Sequence, residues 1–253
     1  MAYSLHARAG TRLVVVGGCG GIGRALVEAA LGLDLRVVVL DLPASLEAAP
    51  PPPGVISQPI DVSDPDSVAA AFAGIGGIDA LVNLAGFTNA RTPIEELDLA
   101  EWNAIVGANL TGTFLVARAA LPMLRAAGTP EAPSAIVHAA SGLASRLMPG
   151  FGPYGASKAG VIALTKALAV ECAPVVRANA VAPGAVDTAF LRGGMGRERN
   201  DVHLDRARYE STLPMGRIAR ADDVVGPILF LCGPGSAYMT GQVLWINGGG
   251  LTP

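Results

Sequence analysis

No two cysteines and no two histidines in this chain stand at a spacing that would hold a metal ion. Cys19, Cys172 and Cys232 are odd in number, far apart and without a CxxC, which fits neither a disulfide framework nor a zinc site; they read as ordinary free thiols. His6, His138 and His203 share no ligand spacing either, and His138 falls in a strand-like run as a core or strand-end residue. No metal is expected. Charge is scarce too: 15% of residues are charged and 51% apolar, so much of the chain must lie inside a large core and subunit interfaces. The formal net charge of −3 gives no basic field, and the arginines form no stripe with interleaved aromatics, which argues against a nucleic-acid partner. No run reaches about 18 uninterrupted apolar residues, and glycines interrupt "MAYSLHARAGTRLVVVGG" before it attains signal-peptide length. The expectation is a soluble, cytoplasmic protein with no membrane partner.

What the chain does contain is an alternation of short β-branched runs and longer helical patterns. The runs are 12–17, 36–41, 54–61, 79–86, 134–140, 176–184 and 242–248; the helical patterns are 21–32, 64–74, 94–127, 153–173 and 222–233. Apolar strands separated by crossover-length helices predict one α/β domain over 1–253, a Rossmann-like, doubly wound, seven-stranded parallel sheet with helices on both faces. Asp64 is placed to cap the helix at 64–74, with Pro65 at its first position. Residues 43–59 leave room for barely a turn of helix before four prolines. Residues 192–210 concentrate nine of the 39 charges, with three glycines near the start. They read either as a solvated surface excursion or as part of a lid, 188–215, over a substrate pocket.

After the first strand, "GGCGGIG" sets Gly17, Gly21 and Gly23 in a G-x-x-x-G-x-G pattern that opens a helix. A turn of this composition brings backbone close to a diphosphate and aims free N–H groups at it, with Cys19, Gly20 and Ile22 between the glycines. It also occurs for purely structural reasons. Asp41 ends the second strand eighteen residues after Gly23, near the offset at which a carboxylate receives a ribose 2′-hydroxyl, with Leu42 beside it. A 2′-phosphate there meets a like charge, and no arginine sits in the turn to offset it. NAD is therefore favoured over NADP, the alternative for Asp41 being a solvated strand end. Asp61 and Val62 end the third strand, where an adenine amino group and ring face would lie.

"YGASK" places Tyr154 and Lys158 at i and i+4, on one helix face with small residues between. Lowering a phenol by about 3 units from its usual 10 takes about 4 kcal/mol, which one ammonium at about 4 Å supplies at an effective dielectric near 20. The positive ring of oxidised nicotinamide adds to that. The pair predicts a tyrosinate able to take a proton from an alcohol; the alternative is a packing tyrosine and a snorkelling lysine.

Taken in order, "GGCGGIG", "NLAG" (83–86), "NLTGTF" (109–114), Ser141, "YGASK", "PG" (183–184) and "GQVLWINGGG" (241–250) resemble the short-chain dehydrogenase/reductase family, classical type, over nearly the whole chain. That resemblance implies Tyr154 as acid/base and Lys158 lowering its pKa while holding the nicotinamide ribose. It implies Ser141 on the substrate oxygen and Asn109 in a distorted helix holding a relay water. It further implies Asn83, Ala85 and Gly86 beside the adenosine ribose, and Pro183, Gly184, Val186 and Thr188 around the carboxamide and diphosphate. A homotetramer through the closing segment is implied as well. Val16 and Leu84 depart from the family's usual threonine and asparagine.

The expected substrate pocket, Ser141, Leu143, Met148, Phe151 and Phe87, is mostly apolar and suits a small secondary alcohol or ketone. The lid arginines are interleaved with acids, so an acidic substrate is not favoured. A 3-oxoacyl-carrier-protein reductase using NADPH and a non-catalytic NAD-binding redox sensor are the competing readings.

Overall fold

The computed structural model describes residues 5–88, 91–194 and 204–251. In β1 (Arg12–Val16) successive side chains enter two interiors: Leu13 and Val15 join one buried cluster, Val14 and Val16 the other. A strand buried on both faces has no solvent side to mark with polar residues, so its valines run unbroken. The sheet adds β2 (Arg36–Asp41), β3 (Ile56–Pro59), β4 (Ala80–Asn83), β5 (Ser134–Ala139), β6 (Val176–Pro183) and β7 (Val243–Ile246). Its order is β3-β2-β1-β4-β5-β6-β7, with every neighbouring pair parallel. This is the seven-stranded doubly wound sheet expected from the sequence.

The helices among the described residues are α1 (Gly21–Gly32), α2 (Pro43–Ala48), α3 (Pro65–Ala73), α4 (Leu99–Val106), α5 (Gly112–Ala127), α6 (Gly152–Cys172), α7 (Arg206–Ser211) and α8 (Ala221–Cys232). Residues of α1 and α8 fill the Leu13/Val15 cluster, and those of α3, α5 and α6 fill the Val14/Val16 cluster. Asp64 caps α3 by accepting from the Asp66 N–H at 2.9 Å, and Pro65 follows as the first helical residue. The single helical pattern expected over 94–127 is divided: a 3₁₀ turn at Ile94–Glu96, then α4, a π turn at Gly107–Thr111, and α5. Residues 99–127 are long and apolar enough to cross a bilayer, but Leu115, Val116, Ala120 and Leu124 are buried in the core against the sheet.

The sheet order reverses between β1 and β4, and a crevice opens there beyond the carboxyl ends of the strands. The glycine turn, Asp41, Asp61 and Ser141 all follow strand ends on that side.

His138 lies in β5 with no solvent exposure. The Thr165 hydroxyl donates to the Val161 carbonyl at 2.7 Å, so it accepts from His138 Nδ1 at 3.0 Å. Nε2 then carries no proton and has no hydrogen-bond partner. Burial first, and the Lys158 charge second, push the imidazole down to about 4 from 6.5. Below about pH 6.5 the unfolded chain binds a proton that the folded chain refuses, so stability falls as pH drops from 6.5 towards 4. The contribution is on the order of 3 kcal/mol. Urea melts across that window are expected to show a steeper loss for the wild type than for His138→Gln; equal slopes would remove His138 as the cause.

Candidate active site

Three of the turn's glycines are packed too closely to carry a side chain. Gly17 has φ +82° and donates to Leu40 O at 2.8 Å, and a Cβ on it would lie 2.9 Å from Ala85 N. A Cβ on Gly21 would lie 2.5 Å from Thr188 Cγ2; one on Gly23 would strike Gly17 O. Gly20 is the N-cap of α1 and brings no capping side chain, so the first N–H groups of the helix are free to face the crevice. Asp41 closes the turn from β2: its carboxylate accepts from the N–H of Cys19 and of Leu42, both at 2.8 Å. Cys19 itself is packed inward, its thiol pushed up to about 12 by burial and then by the Asp41 charge, so it acts as a small core residue. Asp61 holds its loop by accepting from Ser63 N at 2.9 Å and Ser63 Oγ at 2.6 Å.

Tyr154 stands in the first turn of α6 at 7% exposure, and Lys158 one turn on at 4%. Ser141 follows β5 and accepts from the Leu143 N–H at 3.2 Å; its hydroxyl lies on the Tyr154 side of the cleft, where it favours the phenolate. The Lys158 ammonium donates to Ala139 O at 2.8 Å and lies 5.6 Å from the tyrosine ring centroid. Asn109 is in the π turn, fully buried, with its amide nitrogen donating to Phe87 O (2.8 Å) and Ile105 O (2.9 Å). Its Oδ1 has no partner and borders Gly86, where a Cβ would strike that oxygen and lie 3.4 Å from Lys158 Nζ. A π turn breaks the i→i−4 ladder, which is what turns this carboxamide towards the lysine.

The electrostatics differ from the sequence expectation. Burial pushes Tyr154 up to about 12, more than the Ser141 hydrogen bond brings it down, and pushes Lys158 down to about 8. The protein's own groups therefore keep the phenol protonated at neutral pH. The reason is that desolvation penalises both charged forms.

These groups border one cleft of about 830 Å³. Gly17, Gly20, Gly21, Ile22, Gly23, Asp41, Leu42, Asp61 and Val62 line one end, and Ala85, Gly86, Lys158, Pro183, Gly184, Val186 and Thr188 its middle. Ser141, Leu143, Met148, Phe151 and Tyr154 line the other end. Cys19, Asn83 and Asn109 stand behind the wall; Asn83 donates to Thr113 Oγ1 (3.3 Å) and accepts from Ala85 N (3.1 Å). Phe87, expected in the substrate pocket, is half-buried and packs against the core cluster that α3 and α5 help to fill. Of the expected lid, Leu191, Gly193, Gly194, Leu204 and Arg208 border the cleft, while Arg197, Arg199 and His203 lie outside the described residues. Within the expected lid, Phe190 has its ring centroid 6.0 Å from that of Tyr154, and the Tyr209 hydroxyl accepts from Ala185 N at 3.2 Å. Sequence reasoning missed Arg91 and Arg146. No spacing marks these two; they reach the cleft through loop folding.

The cleft fits a dinucleotide: a turn with no room for a Cβ at Gly17, Gly21 or Gly23, uncapped N–H groups at a helix start, and a carboxylate at the end of the next strand. A family model described as enoyl-(acyl carrier protein) reductase matches residues 17–250. Cis-4-hydroxycyclohexanecarboxylate dehydrogenase of Sinomonas cyclohexanicum is 38% identical over 194 residues, covering 75% of this chain and 74% of that one. The 3-oxoacyl-(acyl-carrier-protein) reductase of Aquifex aeolicus is 32% identical over 93% of this chain and 95% of its own. Among solved structures, 3-ketoacyl-(acyl-carrier-protein) reductase from Brucella melitensis complexed with NADH superposes with a TM-score of 0.84 at 29% identity, covering 97% and 99% of the two chains. The match runs from the first glycine of the turn to the tail beside the cleft, and the chain belongs to the short-chain dehydrogenase/reductase family of oxidoreductases.

Proposed function

We propose that this protein is an NAD-dependent oxidoreductase that interconverts a small secondary alcohol and its ketone, with Tyr154 as the acid/base. The observation that carries the reading is the buried Tyr154, one helical turn from Lys158, in the same cleft as Ser141 and the glycine turn. NAD, held by the glycine turn and Asp41, would supply the hydride acceptor and, when oxidised, a positive charge. Tyr154 takes the hydroxyl proton of the alcohol or returns it to the ketone. The Ser141 hydroxyl is placed to donate to the substrate oxygen. Lys158 contributes charge beside the phenol and, with Asn109 Oδ1 behind it, a polar route for the proton. The apolar wall of Leu143, Met148 and Phe151 selects a compact carbon skeleton. One matched relative is named for a hydroxylated six-membered ring, so cyclic alcohols are the first class to screen.

A second reading, an NADPH-dependent 3-oxoacyl-carrier-protein reductase, is favoured by the relative of that name. Against it stand the Asp41 carboxylate and the absence of a basic residue in the turn; Arg24, on α1, donates to Pro50 O at 3.1 Å. A phosphate charge about 4 Å from a carboxylate costs about 4 kcal/mol at an effective dielectric near 20. The expected result is a preference for NAD over NADP of at least about tenfold in kcat/KM, reduced or inverted in Asp41→Ser. Faster turnover with NADPH in the wild type would favour the carrier-protein reading instead.

A further inference from the structure

The cleft is polarised. Its acids Asp41 and Asp61 lie at the glycine-turn end, whereas Arg91, Arg146 and Arg208 line the end that holds Ser141 and Tyr154. None of the three arginines has a carboxylate partner among the described residues. The one acid lining that end, Asp205, uses Oδ1 to accept from Arg208 N at 3.1 Å as the cap of α7. The lid's own balance is also changed by folding: Arg206 is tied to Asp187 at 2.7 Å and Glu210 at 3.0 Å, which leaves Arg208 for the cleft.

Arg91 is held in place by more than charge. Its guanidinium carbon sits 5.5 Å from the centroid of the buried Phe151 ring, three residues ahead of Tyr154. Gly150, at φ +83°, packs against the Arg91 backbone, and Thr92 N donates to Gly150 O at 3.2 Å. The segment that carries the arginine is thus fixed to the loop that leads into the catalytic helix. A guanidinium held on an aromatic face still has its planar fork of N–H donors free at the edge, the geometry that matches a carboxylate.

We propose that the substrate is a small hydroxy acid or oxo acid whose carboxylate seats on Arg91, with Arg146 and Arg208 adding positive field, while its alcohol carbon lies at Tyr154. This rests on the dehydrogenase reading above and names its substrate class. It reverses the expectation from the lid sequence alone, because two of the three cations come from outside the lid.

The test compares oxidation of 4-hydroxycyclohexanecarboxylate, its methyl ester and cyclohexanol, followed as NADH absorbance. The acid is expected to exceed the ester by about tenfold or more in kcat/KM, chiefly through KM, and added salt to erode the difference. In Arg91→Met the acid-to-ester ratio is expected to fall to within about threefold, and Arg208→Met, on a separate element, to lower it in the same direction. Equal efficiency with acid and ester, or an unchanged ratio in Arg91→Met, overturns the carboxylate seat while leaving the dehydrogenase standing. So does a preference for a 3-oxoacyl carrier protein that ignores Arg91. If none of the three alcohols is oxidised, the dehydrogenase reading fails. Calorimetric titration of the acid into the NADH-loaded protein then decides the seat: binding that is lost in Arg91→Met keeps it, and binding indifferent to Arg91, or no binding, removes it.

Discussion

Tyr154→Phe is expected to lower kcat by at least about two orders of magnitude, the scale of a lost acid/base group, with NADH affinity kept within about threefold. The substitution removes one oxygen and leaves the ring, so the tilted contact with Phe190 at 6.0 Å and the packing at the head of α6 survive. What disappears is the phenolic hydroxyl that shares the cleft with Ser141 and Lys158. Turnover by single-turnover and steady-state assays, with NADH fluorescence titration on the same samples, separates the two effects. Activity within tenfold of wild type would end the proposed role. Loss of NADH binding together with activity would instead mark Tyr154 as a packing residue.

The Tyr154 environment gives this prediction a direction that sequence spacing did not supply. An i, i+4 tyrosine and lysine suggest a lowered phenol, because the ammonium is near and its Coulomb energy is easy to count. The fold adds what spacing omits: both side chains are buried, Tyr154 is pushed up to about 12, Lys158 down to about 8, and the ammonium faces Ala139 O. An ionised tyrosine at neutral pH therefore needs the charge of the oxidised nicotinamide as well as that of the lysine.

Other parts of the molecule were legible to different degrees for similar reasons. The sheet could be read directly, since strands buried on two faces announce themselves as unbroken runs such as Leu13–Val16. The limits of α1 follow from glycines at each end. By contrast, the π turn at Gly107–Thr111 carries no periodic signal, because one added residue in a turn leaves composition unchanged. Phe87, just past the end of β4, packs against the core cluster, a direction that no sequence period records. Arg91 was invisible: it follows β4 in an irregular segment, and only the packing of Gly150 against its backbone brings it to the cleft. Side chains on strands and helices are thus announced by period, whereas those delivered by loops are not.

The second large effect is expected at Gly23, which appears in the sequence as one glycine among 32. In Gly23→Ala the new methyl strikes the Gly17 carbonyl oxygen and lies 2.7 Å from Gly18 Cα, both main-chain atoms with no rotamer to yield. Relief requires the turn to move, and the turn is already committed: Gly17 holds φ +82° and its N–H is bonded to Leu40. The expected result is a loss of NADH affinity of more than about tenfold, with a stability loss on the order of 1–3 kcal/mol. Gly32→Ala, at the far end of the same helix, is the matched comparison. A Cβ there meets nothing within 4 Å, so alanine is expected to raise stability by about 0.5–1 kcal/mol and leave NADH binding unchanged. The two substitutions add the same atom to the same helix, so a difference between them cannot come from helix propensity. It must come from how closely the first turn approaches the strand behind it, and wild-type NADH affinity in Gly23→Ala would show that the turn tolerates a wider path than the packing allows.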